Sequence, residues 1–135
     1  MPRTIHMAAG LPASPGELFD MYLDSESHAA FTGAPVSIGA HPGAEFRAFH
    51  GTLRGMILQV VPRLLIVQSW RSTYWKDSDL DSTLILTFWP DGEGTRIDLV
   101  HVNVADQDFA GVSQGWEIYY FAPWREYLKK RGAPG

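Results

Sequence analysis

His101 and Asn103 form the pair of side chains whose spacing first suggests chemistry in this sequence. They stand two residues apart in a run of alternating apolar residues, so both are expected on one face of a β-strand. A buried histidine beside an asparagine could orient a ligand oxygen or move a proton. A histidine at a strand end can equally be satisfied by backbone groups alone, and the sequence leaves both interpretations open.

The other histidines do not form a metal-binding pattern. No pair has the i, i+4 spacing on a helix that many zinc sites use, and a Pro-Gly turn separates His41 from Glu45. We therefore predict neither a metal nor another cofactor. The remaining histidines, on different predicted elements, are His6, His28 and His50.

Three carboxylates are candidates for acid–base catalysis, but they do not form an evident pair. Asp98 alternates out of phase with its apolar neighbours and should face solvent. Glu117 falls in the first turn of a predicted helix, where negative charge suits the helix dipole. Glu45 is the one that could face inward. Cysteine, the Gly-x-Ser-x-Gly motif, the P-loop and the dinucleotide-binding glycine motif are all absent from the sequence.

Composition places these residues in an ordinary globular protein. The 135 residues are 45% apolar and 19% charged, with a formal net charge of -4 and no basic stripe, which argues against a nucleic-acid partner. The N-terminus lacks the apolar core of a signal peptide, and no stretch reaches the ~18 apolar residues of a membrane span. We expect one domain, 1–135, in a cytoplasmic protein.

The order of apolar patterns indicates an α+β fold. A short strand from Thr4 to Leu11 precedes a helix that Ser14 should cap, with Pro15 in its first turn and Glu17 closing a capping box. A second short helix is expected near His28 to Phe31. Short alternating runs bounded by Gly, Pro and Asp then predict a meander of about six antiparallel strands. They run over 36–38, 45–49, 52–61, 64–71, 82–89 and 95–104.

The segment SQGWEIYYFAPWREYLKK, residues 113–130, predicts a long C-terminal helix. Its aromatic residues recur at helical spacing and give a wide apolar face, which must lie on the sheet. Pro123 in the middle would cost about 3 kcal/mol in a straight exposed helix, a cost that a bend following the sheet could offset. Lys129, Lys130 and Arg131 fall in the last turn, where positive charge complements the helix dipole.

Three segments carry a family resemblance: LRGMILQVVPRLLIVQSW, STLILTFWPDGEGTRIDLVHVNV and GWEIYYFAPWREYL. Together they resemble the activator-of-heat-shock-ATPase branch of the START-like (SRPBCC, helix-grip) superfamily. The resemblance extends from Ile5 to Leu128. It implies a strongly curved antiparallel sheet of six or seven strands wrapped around the C-terminal helix, with two short N-terminal helices. Members that act on the heat-shock ATPase typically carry an additional N-terminal domain, for which this sequence has no room.

A curved sheet and a helix leave a gap, and aromatic rings with a few polar groups are the usual lining of a small-molecule pocket. For each ring, simple core filling is the alternative. The candidate ligand-binding residues are those expected on the concave face and on the facing side of the helix. They are Gln68, Trp70, Leu84, Leu86, Phe88, Ile97, Leu99, His101, Asn103, Trp116, Tyr119, Tyr120 and Trp124.

Two surface features suggest partners. The segment RSTYWKDSDLDS, residues 71–82, is a long loop in which Tyr74 and Trp75 look exposed, as in a lid or a partner contact. The alternative is that the two rings pack on the rim of the sheet. Ile118 and Phe121 flank the apolar stripe of the last helix and could form a homodimer contact. The sequence does not decide between monomer and homodimer.

Three functions fit these observations. The first is binding of a small hydrophobic or aromatic molecule, lipid-like or polyketide-like, in the cavity. The second is a chaperone-associated interaction or stress-response module, which the family resemblance implies. The third is a cavity enzyme such as a cyclase or hydrolase, which START-like relatives include, although no acid–base pair stands out here.

Overall fold

A computed structural model describes residues 1–132 and contains one antiparallel sheet with helices at both ends of the chain. Strand β1 (Arg3–Leu11) leads into helices α1 (Pro15–Leu23) and α2 (Ser25–Thr32). The other strands are β2 (Val36–Ser37), β3 (Glu45–Ala48), β4 (Leu53–Val61), β5 (Leu65–Ser72), β6 (Ser82–Asp91) and β7 (Gly94–Val104). A 3₁₀ turn (Asp106–Asp108), helix α3 (Phe109–Gly115), a π-helical turn (Trp116–Phe121) and helix α4 (Ala122–Gly132) follow.

The sheet has seven strands in the order β1-β7-β6-β5-β4-β3-β2. Alternation sends Ile66, Leu86 and Leu99 to one fully buried face, and the residues between them are only half-buried. A register shift between Ile57 and Gln59 marks a bulge in β4, and bulges bend a sheet. The buried face receives α1, α2 and the C-terminal helical segment, which confirms the predicted helix-grip fold.

The N-terminus of α1 follows the prediction only in part. Ser14 caps the helix by accepting a hydrogen bond from the Glu17 backbone N–H at 3.2 Å, and Pro15 occupies the first turn. The Glu17 carboxylate, however, forms an ion pair with Arg131 at the end of α4. Its side chain therefore joins the two ends of the helical layer.

The C-terminal helical segment begins earlier than predicted and is not a continuous α-helix. It starts at Phe109, whose ring packs 3.8 Å from the Arg3 guanidinium of β1, a contact that aromatic periodicity did not indicate. In the π-helical turn, the N–H of Ala122 donates to the carbonyl of Glu117, five residues earlier. Pro123, which has no N–H, follows at once, so the irregularity expected at the proline takes the form of a π turn.

Phe121 is buried, whereas Ile118 is exposed. The π turn brings Phe121 to within 6.3 Å of Trp116, measured between ring centroids, on the inner side of the segment. Of the two residues suggested for a homodimer contact, Ile118 and Phe121, only Ile118 lies on the surface.

At Gly55 the backbones of β4 and β5 lie too close together for a side chain between them. A Cβ atom placed on this glycine would lie 1.8 Å from the backbone oxygen of Ser69, a contact that no side chain allows. Only glycine therefore fits this position of β4.

We expect Gly55→Ala to lower the free energy of unfolding by about 3 kcal/mol, because the methyl group must push two paired backbones apart. Urea denaturation measures the change. Gly10→Ala in β1 is the matched control, since a Cβ there meets nothing within 4 Å. That variant should be neutral or more stable by up to about 1 kcal/mol. Equal stability of the two variants would contradict the packing argument.

Candidate functional site

A cavity of about 370 Å³ lies between the β4–β5 part of the sheet and the start of the C-terminal helical segment. Its volume falls in the range of about 300–1,000 Å³ that small-molecule sites usually have. The sheet and the turn before β4 contribute one wall, and α3 with the π turn contributes the other. The lining residues are Phe49, Thr52, Leu53, Trp70, Ser72, Asp108, Gly111, Val112, Gly115, Trp116, Tyr119 and Tyr120.

Two of the lining rings use their polar atoms to bind the protein itself. The indole N–H of Trp116 donates to His101 Nδ1 at 3.2 Å. The hydroxyl of Tyr120 hydrogen-bonds His28 Nε2 at 3.0 Å. Because these atoms are engaged in the core, the two rings contribute carbon surface to the cavity.

The contacts of His101 define its protonation state. Trp116 can only donate, so Nδ1 accepts and Nε2 carries the proton. Nε2 lies 2.7 Å from the Ser82 hydroxyl, which in turn donates to the carbonyl of Trp70. Burial lowers the pKa of His101 to about 3, so the ring is neutral near pH 7. His101 is thus a fully hydrogen-bonded histidine behind the cavity wall.

A second buried histidine links the N-terminal helices to the C-terminal segment. His28 Nδ1 donates to the carbonyl of Tyr22 at 2.7 Å, which leaves Nε2 to accept from the Tyr120 hydroxyl. Burial lowers the pKa of His28 to about 4. The Tyr22 hydroxyl donates to Gln68 Oε1 at 2.6 Å, and burial raises the pKa of Tyr22 well above its usual value.

The polar groups left for a ligand belong to other lining residues. The indole nitrogen of Trp70 is not one of them: it has no hydrogen-bond partner among residues 1–132, but it is fully buried and has no surface open to the cavity. The Ser72 hydroxyl accepts from the backbone N–H of Tyr74, so its own proton is available. Asp108 binds the indole N–H of Trp75 through Oδ2 at 2.7 Å. Hydroxyl groups and one carboxylate therefore accompany an otherwise apolar wall.

The turn before β4 carries backbone strain next to the cavity. Phe49 and His50 have φ values of 50° and 58°, in the left-handed region that non-glycine residues rarely adopt. The Phe49 ring lies edge-on to Tyr119 and Tyr120, with centroid distances of 6.1 and 6.0 Å. These aromatic contacts offset the strain and close one side of the cavity.

Four of the residues predicted from the sequence line this cavity: Trp70, Trp116, Tyr119 and Tyr120. Tyr119 is 58% exposed, which places it at the mouth. Seven others lie buried in the core away from the lining: Gln68, Leu84, Leu86, Phe88, Ile97, Leu99 and Trp124.

The N-terminal helices separate those core residues from the cavity. Phe19 of α1 contacts Phe88 with ring centroids 5.9 Å apart, and Phe31 of α2 stacks on Trp124 at 4.2 Å. The sequence indicated both helices but not that they would fill the middle of the groove. The cavity described here lies towards the β4–β5 end of the groove.

Strand alternation predicted that Asn103 would share the face of His101, but the structure places it elsewhere. Its φ of 64° interrupts the alternation, and its side-chain amide donates to the carbonyl of Asp81 at 3.2 Å. Val104 takes the buried position instead. The sequence did not decide which face of the sheet Glu45 occupies. Its side chain lies on the outer face and is 73% exposed.

Trp75 is buried rather than exposed, because it binds Asp108 and its ring lies 5.7 Å from that of Trp70. Tyr74 beside it is 85% exposed. The loop is therefore anchored by one ring and displays the other.

Several lining residues were not singled out by sequence reasoning. Gly111 and Gly115 are spaced four apart before Tyr119, which places three lining positions on one helical face. That spacing was a usable signal. No comparable signal marked the other lining residues in the turn and at the strand ends, because such short segments carry no periodicity that points to a cavity. These residues are Phe49, Thr52, Leu53 and Ser72.

Residues 1–132 contain neither a cluster of metal ligands nor a helix suited to crossing a membrane. No group of three or more metal-ligating side chains occurs there. None of the helices in this range combines the length and the apolar character that crossing a membrane requires.

A curved antiparallel sheet that holds a C-terminal helix, with an aromatic-walled cavity at one end, defines a helix-grip protein. The chain matches the family model for Activator of Hsp90 ATPase homolog 1-like protein over residues 12–129 and belongs to that family. The resemblance noted in the sequence is thereby confirmed.

The human activator of 90 kDa heat shock protein ATPase homolog 1 is 31% identical over 108 residues, which cover 80% of this chain and 32% of that protein. The chain spans about a third of the length of the curated relatives it matches. An HSP90 activator from Plasmodium falciparum has a TM-score of 0.84 at 18% identity, covering 93% of this chain and 96% of that one. The Aha1 dimer from Colwellia psychrerythraea has a TM-score of 0.80 at 13% identity, covering 96% and 98%. These structural likenesses establish the fold.

We expect the stability of the protein to fall as the pH drops below about 6.5, the ordinary pKa of histidine in an unfolded chain. Between that pH and the lowered pKa of about 4 for His28, the unfolded chain binds more protons than the folded one. His28 contributes its full stabilisation above about pH 6.5, and this stabilisation is lost as the pH falls from about 6.5 to about 4.

The test compares the free energy of unfolding of the wild type and His28→Gln at pH 7 and pH 4.5. The difference between them should shrink by about 2 kcal/mol at the lower pH, because only the wild type has a titrating side chain at residue 28. His6→Gln, at an exposed histidine, controls for the substitution itself. Parallel pH profiles of wild type and His28→Gln would contradict the assignment.

Proposed function

We propose that this protein binds a small aromatic or otherwise apolar molecule in the cavity between β4–β5 and the α3–π segment. The observation that carries the proposal is a cavity of about 370 Å³ walled mainly by aromatic rings, among them Trp70, Trp116 and Tyr120. Burial of apolar ligand surface against these rings would drive binding, and such rings are the usual lining of small-molecule sites.

The polar groups also indicate which ligands fit. A hydrogen-bond acceptor would suit the Ser72 hydroxyl proton, and a donor would suit the Asp108 carboxylate. An anionic group near Asp108 would be repelled, since a carboxylate in an apolar wall strongly disfavours a second negative charge. A neutral ring system with one carbonyl, hydroxyl or amine group fits best. Lipid-like and polyketide-like molecules of that kind are within this class.

Binding rather than catalysis is the function that this geometry supports. His101, the residue that had suggested proton transfer, has both ring nitrogens hydrogen-bonded within the protein. Asp108 is the one carboxylate among the lining residues, so the cavity offers no carboxylate pair for acid–base work. The cyclase or hydrolase alternative therefore draws no support from the cavity wall.

Gly115→Leu should block the cavity without unfolding the helix. Gly115 lines the cavity, and a Cβ there meets only the Tyr119 ring at 3.5 Å, an ordinary contact. The leucine side chain would then occupy ligand space, while loss of a helical glycine should stabilise the protein by up to about 1 kcal/mol. We expect the affinity for the neutral fluorescent probe N-phenyl-1-naphthylamine to fall by tenfold or more, about 1.4 kcal/mol.

Gln114→Leu is the control for that experiment, because residue 114 is exposed and outside the lining. It adds the same side chain one position away and should leave the affinity unchanged. If Gly115→Leu bound the probe as well as the wild type does, the ligand site would have to lie elsewhere.

A second candidate function is contact with a 90 kDa heat-shock protein. The curated relatives named as activators of its ATPase favour it, although they match this chain over only about a third of their length. Tyr74 is a suitable contact residue: it is 85% exposed on a loop that Trp75 and Arg71 hold in place. Tyrosines on rigid supports often dominate interfaces.

We expect Tyr74→Ala to weaken binding to an immobilised 90 kDa heat-shock protein by about 2 kcal/mol if this contact exists. Surface plasmon resonance gives the affinity. Trp89→Ala is the matched control, because Trp89 is an exposed aromatic residue on the distant end of β6. Binding that is absent, or equally reduced in both variants, would count against this second function.

A further inference from the structure

Three arginines lie side by side across the outer face of the sheet. Arg47 of β3 pairs directly with Arg54 of β4, and Arg54 pairs directly with Arg71 of β5. Residues that are directly opposite in antiparallel strands point to the same face. The neighbours Phe46 and Ser72 are buried on the inner face, so these three residues, here called the arginine row, point outward.

The arginine row is unfavourable for folding taken alone. Like charges directly opposite in a sheet repel, and a guanidinium cannot lose its proton to relieve the repulsion. Two members have compensating contacts. Arg71 binds Asp81 at 2.7 Å and the carbonyl groups of Lys76 and Asp79 at 3.0 and 3.1 Å, whereas Arg47 reaches Glu45 only at 3.9 Å.

Arg54, in the middle of the row, has no ion pair and no side-chain hydrogen bond with any residue in 1–132. A depression of about 250 Å³ surrounds it, on the opposite side of the sheet from the ligand cavity. The depression is lined by the three arginines with Glu45, Phe46, Gly55, Met56, Ser69 and Asp81.

Two other lining residues complete the arrangement. Ser69 Oγ accepts from the Met56 backbone N–H at 2.9 Å, so its hydroxyl proton is available to an anion. Gly55 lets β4 and β5 approach closely beside Arg54. A concave surface with an uncompensated guanidinium thus occurs in a chain whose net charge is -4.

We propose that the arginine row is a binding site for a phosphate group, either free phosphate or the phosphate monoester of a small molecule. A phosphate monoester offers three terminal oxygens and a charge near -2 to forked guanidinium donors, which suits several arginines better than one carboxylate does. Arginine side chains can converge from strands spaced about 4.8 Å apart. Met56, 42% exposed at the edge, would contact the organic part of an ester.

The test is a ³¹P NMR titration of the protein with phenyl phosphate and, separately, with inorganic phosphate in chloride buffer of low ionic strength. Arg54→Gln should lower the affinity for phosphate about tenfold, because it removes the central guanidinium. Arg96→Gln is the matched control: it makes the same change in net charge on the outer face of β7, where Arg96 pairs with Asp98. It should change the affinity less than about twofold.

The two probes distinguish the sources of the phosphate group. Tighter binding of phenyl phosphate would assign the site to an ester whose organic part contacts the protein, and equal binding would assign it to the anion alone. The proposal is overturned if neither probe binds the wild type at about 20 mM, a concentration far above the sub-millimolar levels of typical metabolite sites. Equal losses of affinity in Arg54→Gln and Arg96→Gln would overturn it as well.

Stability gives an independent readout. In phosphate-free buffer, Arg54→Gln should raise Tm by about 1–3 °C, because it relieves repulsion within the row. Addition of phosphate should then raise Tm less in this variant than in the wild type. A fall in Tm of Arg54→Gln without phosphate would identify Arg54 as a structural residue and overturn the proposal.

Discussion

Two buried, uncharged histidines hold the C-terminal helical segment against the rest of the protein. His28 bridges the Tyr22 carbonyl and the Tyr120 hydroxyl, and His101 bridges Trp116 and Ser82. In each case the partners allow only one arrangement of the ring proton. A buried polar group that loses its partner is costly, so these bonds fix where the helix lies with a specificity that apolar packing alone does not give.

The cavity is a consequence of this attachment. Trp116 and Tyr120 are tied inward through their polar atoms, and the small residues of α3 cannot fill the space beside them. The π turn contributes because it brings Trp116, Tyr120 and Phe121 together to the buried side ahead of Pro123. Irregular helical turns of this kind often occur at functional sites.

Most of the fold could be predicted from the sequence, because strand alternation, the Ser14 cap and the aromatic helix are local signals. The candidate site could be predicted only in part, because it depends on contacts between distant segments. Trp70 and Trp116 were recognisable as inward-facing rings. The tertiary structure was needed to show that Phe31 stacks on Trp124 and fills the centre of the groove.

The same limit explains the errors in the loops. Trp75 looked exposed because it is surrounded by polar residues, but Asp108, distant in sequence, accepts its N–H. Asn103 left the predicted face because one residue with positive φ breaks the period of two. Neither effect has a signature in a short window of sequence.

The pleat of β4 and β5 has a consequence for how this protein can diverge. Leu53, Trp70 and Ser72 contribute to the inner cavity, while Arg54 and Arg71, their immediate neighbours in the chain, line the outer depression. Inserting or deleting one residue in either strand would exchange the two sets of side chains. A change of ligand preference is therefore expected mainly from substitutions in α3, which contacts the inner cavity and not the outer depression. We expect the lengths of β4 and β5 to be conserved among relatives.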